Sequence, residues 1–268
     1  MLEYGGIQIS YFTVVLHIKG EDEMTAVWLD VSVIKAGAGS RLTSIMRAGR
    51  NSFPCLDKRG LIEERAAITQ KAGAQPLWDG YREVYGATDR RGLKNFSRSS
   101  NNVRTGEAAG TFYAWLVAEI KPNVIVEIGT AFGVSGMYWL SGLESNKHGK
   151  LLTFDPNEVW RSLAIENLAS IGSRFESILG TFEDNIGSTL RPEDTIDIAF
   201  IDAIHTSKFV KSQFSIIRSR ATAGSIVVFD DIRFSKDMYQ CWSDIANGPS
   251  CLSSLELGKR VGIIELSL

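Results

Sequence analysis

The chain has 268 residues and a formal net charge of −2, with 44% hydrophobic and 22% charged residues. This composition is typical of a globular protein, and the charge excludes the strongly basic balance of a protein that mainly binds nucleic acid. Its three cysteines lack the spacing of a metal or redox motif. The apolar run at 7–18 is too short and too polar to cross a bilayer, and no basic leader precedes it, so we expect a cytoplasmic protein without a membrane partner.

The first 103 residues are expected to form an N-terminal extension that shapes a substrate pocket or an oligomer interface. Alternating apolar and polar residues at 6–18 and 25–34 predict a β-hairpin around a charged turn at 19–23. The rest of the extension predicts a loop, two helices and a polar connector, in chain order at 36–52, 61–71, 77–84 and 88–102.

From Arg104 onward, short apolar runs alternate with helical patterns, which indicates βαβ units and a mainly parallel sheet. Only a short turn at Gly258 separates the last two strands, so they must pair antiparallel, because a parallel crossover needs a dozen residues or more. We therefore predict an α/β domain over 104–268, with a Rossmann-like seven-stranded sheet whose last strand is antiparallel. The predicted strands are 124–128, 151–154, 175–179, 196–201, 225–229, 255–257 and 261–266. The predicted helices are 106–119, 136–143, 159–170, 208–218 and 236–245.

A glycine loop, VEIGTAFG at 126–133, follows the first strand of this domain. Gly129 permits a tight turn, and Gly133 lets the next helix begin close to a ligand. Glu127 favours a cationic or amino-bearing ligand, because a carboxylate at this point repels a pyrophosphate. Asp155 ends the next strand, where it can accept hydrogen bonds from the ribose of an adenosine ligand, although a turn-capping role is the alternative.

Three carboxylates follow two later strands. Asp202 ends IAFID, and Asp230 and Asp231 end GSIVVFDD. The carboxyl ends of parallel strands line the crevice where α/β proteins bind ligands, so these groups are expected to crowd together. A divalent cation such as Mg²⁺ with oxygen ligands relieves such crowding. In the alternative interpretation, Asp202 faces only the cofactor and Asp231 caps a helix.

Two residues near this cluster are candidate general bases. His205 lies three residues after Asp202, and an imidazole is suited to removing a hydroxyl proton near neutral pH. Lys208, one helical turn further on, is the second candidate. A purely structural role for His205 remains the alternative.

The motifs VEIGTAFG, LLTFDPNE, LGTFED, IAFIDAIH and GSIVVFDD follow one another as in class I S-adenosylmethionine-dependent methyltransferases. Within that superfamily the chain from about Arg104 to Leu268 resembles metal-dependent O-methyltransferases of the catechol and caffeoyl-CoA type, and relatives that act on sugars of natural products. The catechol-type relatives carry a lysine where His205 stands. The resemblance implies that Glu127, Gly129 and Gly133 contact the methionine part of the cofactor, Asp155 the ribose, and Thr181, Phe182 and Glu183 the adenine edge. Thr130 and Asp202 are also expected to bind the cofactor. The resemblance also implies a metal held by Asp202, Asp230 and Asp231.

The expected function is S-adenosylmethionine-dependent, divalent-metal-dependent O-methylation of a small-molecule hydroxyl, either a phenol or a sugar of a natural product. The alternatives are a metal-independent N-, O- or C-methyltransferase and a non-catalytic adenosine-ligand-binding or scaffold protein. A nicotinamide-dependent oxidoreductase is disfavoured by the EIGxxxG spacing and the antiparallel ending. We expect no nucleic-acid partner, and we expect a homo-oligomer, most simply a dimer.

Overall fold

The computed structural model describes residues 2–4, 7–19, 24–48, 58–81, 83 and 96–267. The strands are β1 Leu2–Tyr4, β2 Ile7–Lys19, β3 Met24–Lys35, β4 Gln75–Pro76, β5 Ser97–Arg98, β6 Val124–Ile128, β7 Lys150–Asp155, β8 Phe175–Leu179, β9 Ile196–Ile201, β10 Ala221–Phe229, β11 Cys251–Leu257 and β12 Val261–Leu266. The helices are α1 Arg41–Ala48, α2 Arg59–Lys71, α3 Ser100–Val103, α4 Glu107–Ile120, α5 Val134–Asn146, α6 Glu158–Ile171, α7 Phe182–Thr189, α8 Ser207–Ser219 and α9 Lys236–Ala246.

The predicted seven-stranded sheet is confirmed, with the spatial order β8-β7-β6-β9-β10-β12-β11. Strands β8, β7, β6, β9 and β10 pair in parallel, and β12 pairs antiparallel with both β10 and β11. Helices cover both faces of the parallel part, so its strands are apolar on both sides. For example, Phe200 on one face and Ile201 on the other are both buried. This topology brings the carboxyl ends of β6, β7, β9 and β10 to one edge.

The predicted hairpin is also confirmed, as β2 and β3, and it extends the sheet. Strand β3 pairs antiparallel with β11, with Val33 opposite Leu255, so β1, β2 and β3 complete a ten-stranded sheet. The hairpin thereby covers the edge of β11, which would otherwise expose unpaired backbone groups. The division of the chain at 103/104 stays a prediction, and β3 joins the N-terminal extension to the central sheet.

Helix α1 lies inside the segment 36–52, for which the prediction of a loop was wrong at 41–48. The buried Glu265 on β12 accepts hydrogen bonds from the first backbone amides of this helix, Arg41 N at 3.1 Å and Leu42 N at 2.9 Å. The Ser40 hydroxyl donates to the same carboxylate at 2.6 Å. A carboxylate at a helix N-terminus satisfies amides that have no partner within the helix and complements the helix dipole.

The remaining N-terminal predictions have mixed outcomes. The helix predicted at 61–71 is confirmed as α2. The helix predicted at 77–84 is wrong at 77–80, which are not helical, and the Leu77 amide bonds instead to the Phe96 carbonyl. Tyr81 and Glu83 are helical, and residues 82 and 84 lie outside the described residues. The described part of the connector at 88–102 contains β5 and most of α3. Among the described residues, no helix is both long and apolar enough to span a membrane.

Candidate active site

The glycine loop connects β6 to α5 at the carboxyl edge of the sheet. Gly129 has φ +98° and Gly133 has φ +80°, which are backbone conformations that favour glycine. The Gly129 amide donates to the Phe154 carbonyl at 3.0 Å, and a Cβ at Gly129 would overlap with the Asp202 carbonyl oxygen. The loop is therefore wedged between the ends of β7 and β9, and the first glycine is required by close packing as well as by φ.

Glu127 supports this loop from inside the protein. It is fully buried, and its two carboxylate oxygens accept hydrogen bonds from Ser135 Oγ and Thr153 Oγ1, both at 2.6 Å. Thr153 and Thr130 also share a hydroxyl–hydroxyl bond of 2.6 Å. Burial raises the pKa of Glu127 to about 7 despite the two hydrogen bonds. The carboxylate thus braces the loop, and its contact with the methionine part of a cofactor stays a prediction.

The raised pKa of Glu127 predicts a specific dependence of stability on pH. The folded protein holds this proton more tightly than the unfolded chain, whose ordinary value is 4.5, so the free energy of unfolding falls as pH rises from about 4.5 to about 7. Glu127→Gln removes this term. We expect its unfolding free energy relative to wild type to rise by about 3 kcal/mol between pH 4.5 and pH 8. Urea unfolding of both proteins at the two pH values measures the difference, and an unchanged difference would contradict the assignment.

Asp155 ends β7 beside the same loop. Its Oδ2 accepts the Ala131 amide and its Oδ1 accepts the Asn157 amide, both at 2.8 Å. Burial raises its pKa to about 6. Each oxygen keeps a second lone pair, so the carboxylate can still accept hydrogen bonds from a ribose. The residues of this corner therefore fit an adenosine ligand.

The side chains of the segment 181–183, which was predicted to contact the adenine edge, all make contacts within the protein. The Thr181 hydroxyl accepts the Asp184 amide at 3.3 Å and so caps α7. Phe182 is 1% exposed and packs edge-on against Phe154, so its side chain belongs to the core. Glu183 accepts a hydrogen bond from Gln213 at 3.0 Å. The adenine contacts of this segment stay a prediction.

Asp202, Asp230 and Asp231 do come together, but with a fourth group among them. Arg260, which ends the turn before β12, donates through Nε and Nη2 to the two oxygens of Asp230, at 3.1 and 2.8 Å. Its Nε also lies 3.0 Å from Asp231 Oδ1. The pKa of Asp202 is raised well above its usual value, first by burial and then by the charges of Asp230 and Asp231.

This arrangement does not fit the predicted metal site. Mg²⁺ needs carboxylate oxygens that are free to approach to about 2.0–2.1 Å, whereas the guanidinium already engages both oxygens of Asp230 and one of Asp231. No group of three or more His, Cys, Asp or Glu side chains in the described part of the chain has a geometry that could hold a metal ion. The three carboxylates lie close together, as expected from the sequence. The Arg260 guanidinium, however, already binds the carboxylate oxygens that would coordinate the metal.

His205 lies beside the carboxylate cluster, whereas Lys208 does not. The His205 Nε2 is 3.7 Å from Asp202 Oδ1 and 3.7 Å from Asp231 Oδ2, and the side chain is 14% exposed. Its ring also packs against Phe234, with centroids 4.9 Å apart. Lys208 is exposed, with its ammonium 5.9 Å from the centre of the Phe209 ring. The structure therefore favours His205 over Lys208 as the candidate base.

Sequence reasoning missed two residues of this edge. Arg260 ends the short turn before the antiparallel last strand, and the predicted topology brings this turn near the end of β10 without showing which side chain meets the carboxylates. Nothing in the sequence pointed to Tyr113 as a residue of the site, because it lies within a continuously apolar helix. Its buried hydroxyl has no hydrogen-bond partner among the described residues, and its pKa is raised by burial first and then by Asp230 and Asp202. An unpartnered donor thus lies near the acidic cluster.

Comparison with known proteins bears on this geometry directly. Residues 126–232, from the glycine loop to the acidic cluster, match a family model described as "Methyltransferase domain". This stretch of the chain is therefore similar to a methyltransferase domain. Over 126 residues it is 30% identical to a protein of Mycobacterium sp. (strain KMS) that bears a provisional O-methyltransferase name. That alignment covers 45% of this chain and 54% of the relative, so the chain spans about half the length of the curated relatives it matches.

Solved structures share the fold of this chain. An O-methyltransferase from Bacillus cereus in complex with S-adenosylhomocysteine has a TM-score of 0.55 at 16% identity, over 83% of this chain and 96% of that chain. The O-methyltransferase TomG from Streptomyces achromogenes, involved in tomaymycin synthesis and in complex with S-adenosylmethionine, has a TM-score of 0.54 at 16% identity, over 77% and 98%. The resemblance of the motifs to O-methyltransferases is confirmed, and the fold is that of these structures.

Proposed function

We propose that the protein transfers a methyl group from S-adenosylmethionine to a hydroxyl of a small molecule. The observation that carries this proposal is the junction of the glycine loop with Asp155 through the Ala131 amide. That junction places a carboxylate with free lone pairs next to a loop whose glycines keep side chains away from the ligand. The cofactor supplies an activated methyl group on a sulfonium, and the protein's task is to align it with the acceptor oxygen.

The charges at this edge of the sheet match a cationic cofactor. A sulfonium is attracted by surrounding carboxylates, whereas a dinucleotide diphosphate is repelled by them. A positive ligand also stabilises the ionised form of buried carboxyls whose pKa is raised, such as Glu127 and Asp155. In the described part of the chain, the carboxylates of this edge outnumber the guanidinium of Arg260 that lies among them: Glu127, Asp155, Asp202, Asp230 and Asp231.

His205 is the proposed general base. In this role it takes the proton of the acceptor hydroxyl as the oxygen attacks the methyl carbon. Asp202 and Asp231, each 3.7 Å from its Nε2, stabilise the imidazolium that results. The acceptor is a phenol or a sugar hydroxyl, as the resemblance implies, and the protein acts as a homo-oligomer. The resemblance also implies magnesium dependence, but Arg260 already engages carboxylate oxygens of Asp230 and Asp231 that would hold the ion.

Two measurements test this function. Calorimetric titration of the wild-type protein with S-adenosylhomocysteine is expected to show one site per chain, and a flat titration would contradict the proposal. Methyl transfer from labelled S-adenosylmethionine to catechol and to a panel of hydroxylated small molecules then tests whether His205 is the general base. We expect His205→Ala to lower kcat by about 100-fold or more while the cofactor Kd stays unchanged.

A matched control separates this effect from the loss of any histidine. His148 is exposed, and its Nε2 bonds to Asn123 at 2.8 Å at the opposite edge of the sheet. His148→Ala should keep the wild-type kcat. If Lys208→Ala lowers kcat and His205→Ala does not, the lysine is the base and the proposed role of His205 is wrong.

A further inference from the structure

Arg260 owes its position to the antiparallel last strand. Strand β12 begins where β10 ends, with Gly262 opposite Phe229, and the Ile232 amide donates to the Arg260 carbonyl at 3.0 Å. The residue before β12 is therefore fixed beside the acidic residues that follow β10. Asp231 itself has φ +49°, which turns the chain sharply at this point.

The contacts of Arg260 are strong ones. Its two parallel bonds to Asp230 form the bidentate pairing that is geometrically ideal for a guanidinium and a carboxylate. Asp230 is 4% exposed in this pair, so one carboxylate and one edge of the guanidinium are removed from water together. Burial lowers the pKa of Arg260, but the hydrogen bonds to Asp230 and the charges of Asp230, Asp231 and Asp202 more than offset this and raise it above its usual value, so its charge is permanent.

Part of the same guanidinium is still available to a ligand. The Arg260 side chain is 52% exposed, and none of its hydrogen bonds or ion pairs in the described part of the chain uses Nη1. His205 lies near Asp202 and near Oδ2 of Asp231, whereas Arg260 contacts Oδ1 of the same Asp231. An acceptor oxygen that loses its proton to His205 would thus develop its negative charge near a fixed positive group, which lowers the barrier electrostatically.

We propose that Arg260 is the resident cation of the acceptor site, so that no divalent ion binds there and methyl transfer does not require one. This inference rests on the proposed function for its role in transfer. The claim that no divalent ion binds there rests only on the contacts of Arg260 with Asp230 and Asp231. In this role Arg260 stabilises the negative charge on the acceptor oxygen by its own charge and by N–H donors, whereas a metal ion would do so by its charge and by coordination.

Binding of Mn²⁺, followed by electron paramagnetic resonance, tests the inference without any acceptor. The wild-type protein is expected to bind Mn²⁺ no more tightly than about 1 mM, the weak end of the range for divalent sites with oxygen ligands. Arg260→Ala removes the positive charge and frees the oxygens of Asp230 and Asp231, and we expect it to bind Mn²⁺ at least about tenfold more tightly. Asp230→Asn in the same background should abolish that gain.

Arg260→Lys serves as the matched control, because it keeps the positive charge and should not gain Mn²⁺ affinity. Tight Mn²⁺ binding by the wild type would overturn the inference, and so would an Arg260→Ala protein that binds no better than wild type. S-adenosylhomocysteine titration of each variant shows that the fold is intact. It also separates the two ideas, since a wild type that fails this titration contradicts the proposed function while the Mn²⁺ result can still be read.

Discussion

Gly129→Ala is expected to weaken S-adenosylmethionine binding by at least about 100-fold, which corresponds to about 3 kcal/mol. A Cβ at this position meets the backbone carbonyl of Asp202, which cannot swing aside as a flexible side chain would. Asp202 is held in turn by the bond from its amide to the Ile128 carbonyl at 2.9 Å. The φ of +98° adds backbone strain of about 1–3 kcal/mol for any residue with a side chain. The loop must therefore move, and the Ala131 amide that bonds to Asp155 moves with it.

Calorimetry with S-adenosylmethionine measures this loss, and Gly60→Ala is the matched control. Gly60 lies near the start of α2, where an added Cβ meets nothing within 4 Å. We expect Gly60→Ala to bind the cofactor as wild type does and to gain up to about 1 kcal/mol of stability from helix propensity. Cofactor binding by Gly129→Ala within threefold of wild type would show that the loop is not the binding element.

Glu265→Ala is expected to lower the free energy of unfolding by about 3 kcal/mol. The substitution removes the acceptor of the Arg41 and Leu42 amides and of the Ser40 hydroxyl, and the bonds from Leu42 and Ser40 are buried. Each buried donor that loses its partner costs about 1–3 kcal/mol, although part is recovered as α1 frays and admits water. Urea unfolding measures the loss. In the variant, amide hydrogen exchange should accelerate relative to wild type more in 41–48 than in the rest of the chain.

Two comparisons make this prediction specific. Glu265→Gln keeps an acceptor oxygen and should lose less stability than the alanine variant. Glu166→Ala changes an exposed glutamate on α6, and we expect it to alter stability by no more than about 0.5 kcal/mol. If Glu265→Ala and Glu166→Ala have the same stability, α1 does not depend on the carboxylate.

Much of the candidate site could be predicted because its chemistry lies at strand ends. Glu127 and Asp155 each belong to a short apolar run whose end is visible in the sequence, and parallel strands place such ends at one edge. Asp202, Asp230 and Asp231 were expected to crowd together for the same reason, and they do. The group that resolves their repulsion was not predicted, because the pattern of charges along the chain does not show which cation reaches them.

The sequence alone determined the seven-stranded domain and its hairpin, since apolar periodicity and turn residues are local signals that act within about ten residues. Tertiary structure decided the rest through contacts between distant segments. Residues 41–48 were predicted as a loop but form a helix, because Glu265 on the last strand caps its N-terminus. Arg260 reaches Asp230 only because β12 returns antiparallel beside β10. A hydrogen bond or ion pair between residues far apart in the chain has no local signature, so pairing of this kind becomes visible only once the strands are in register.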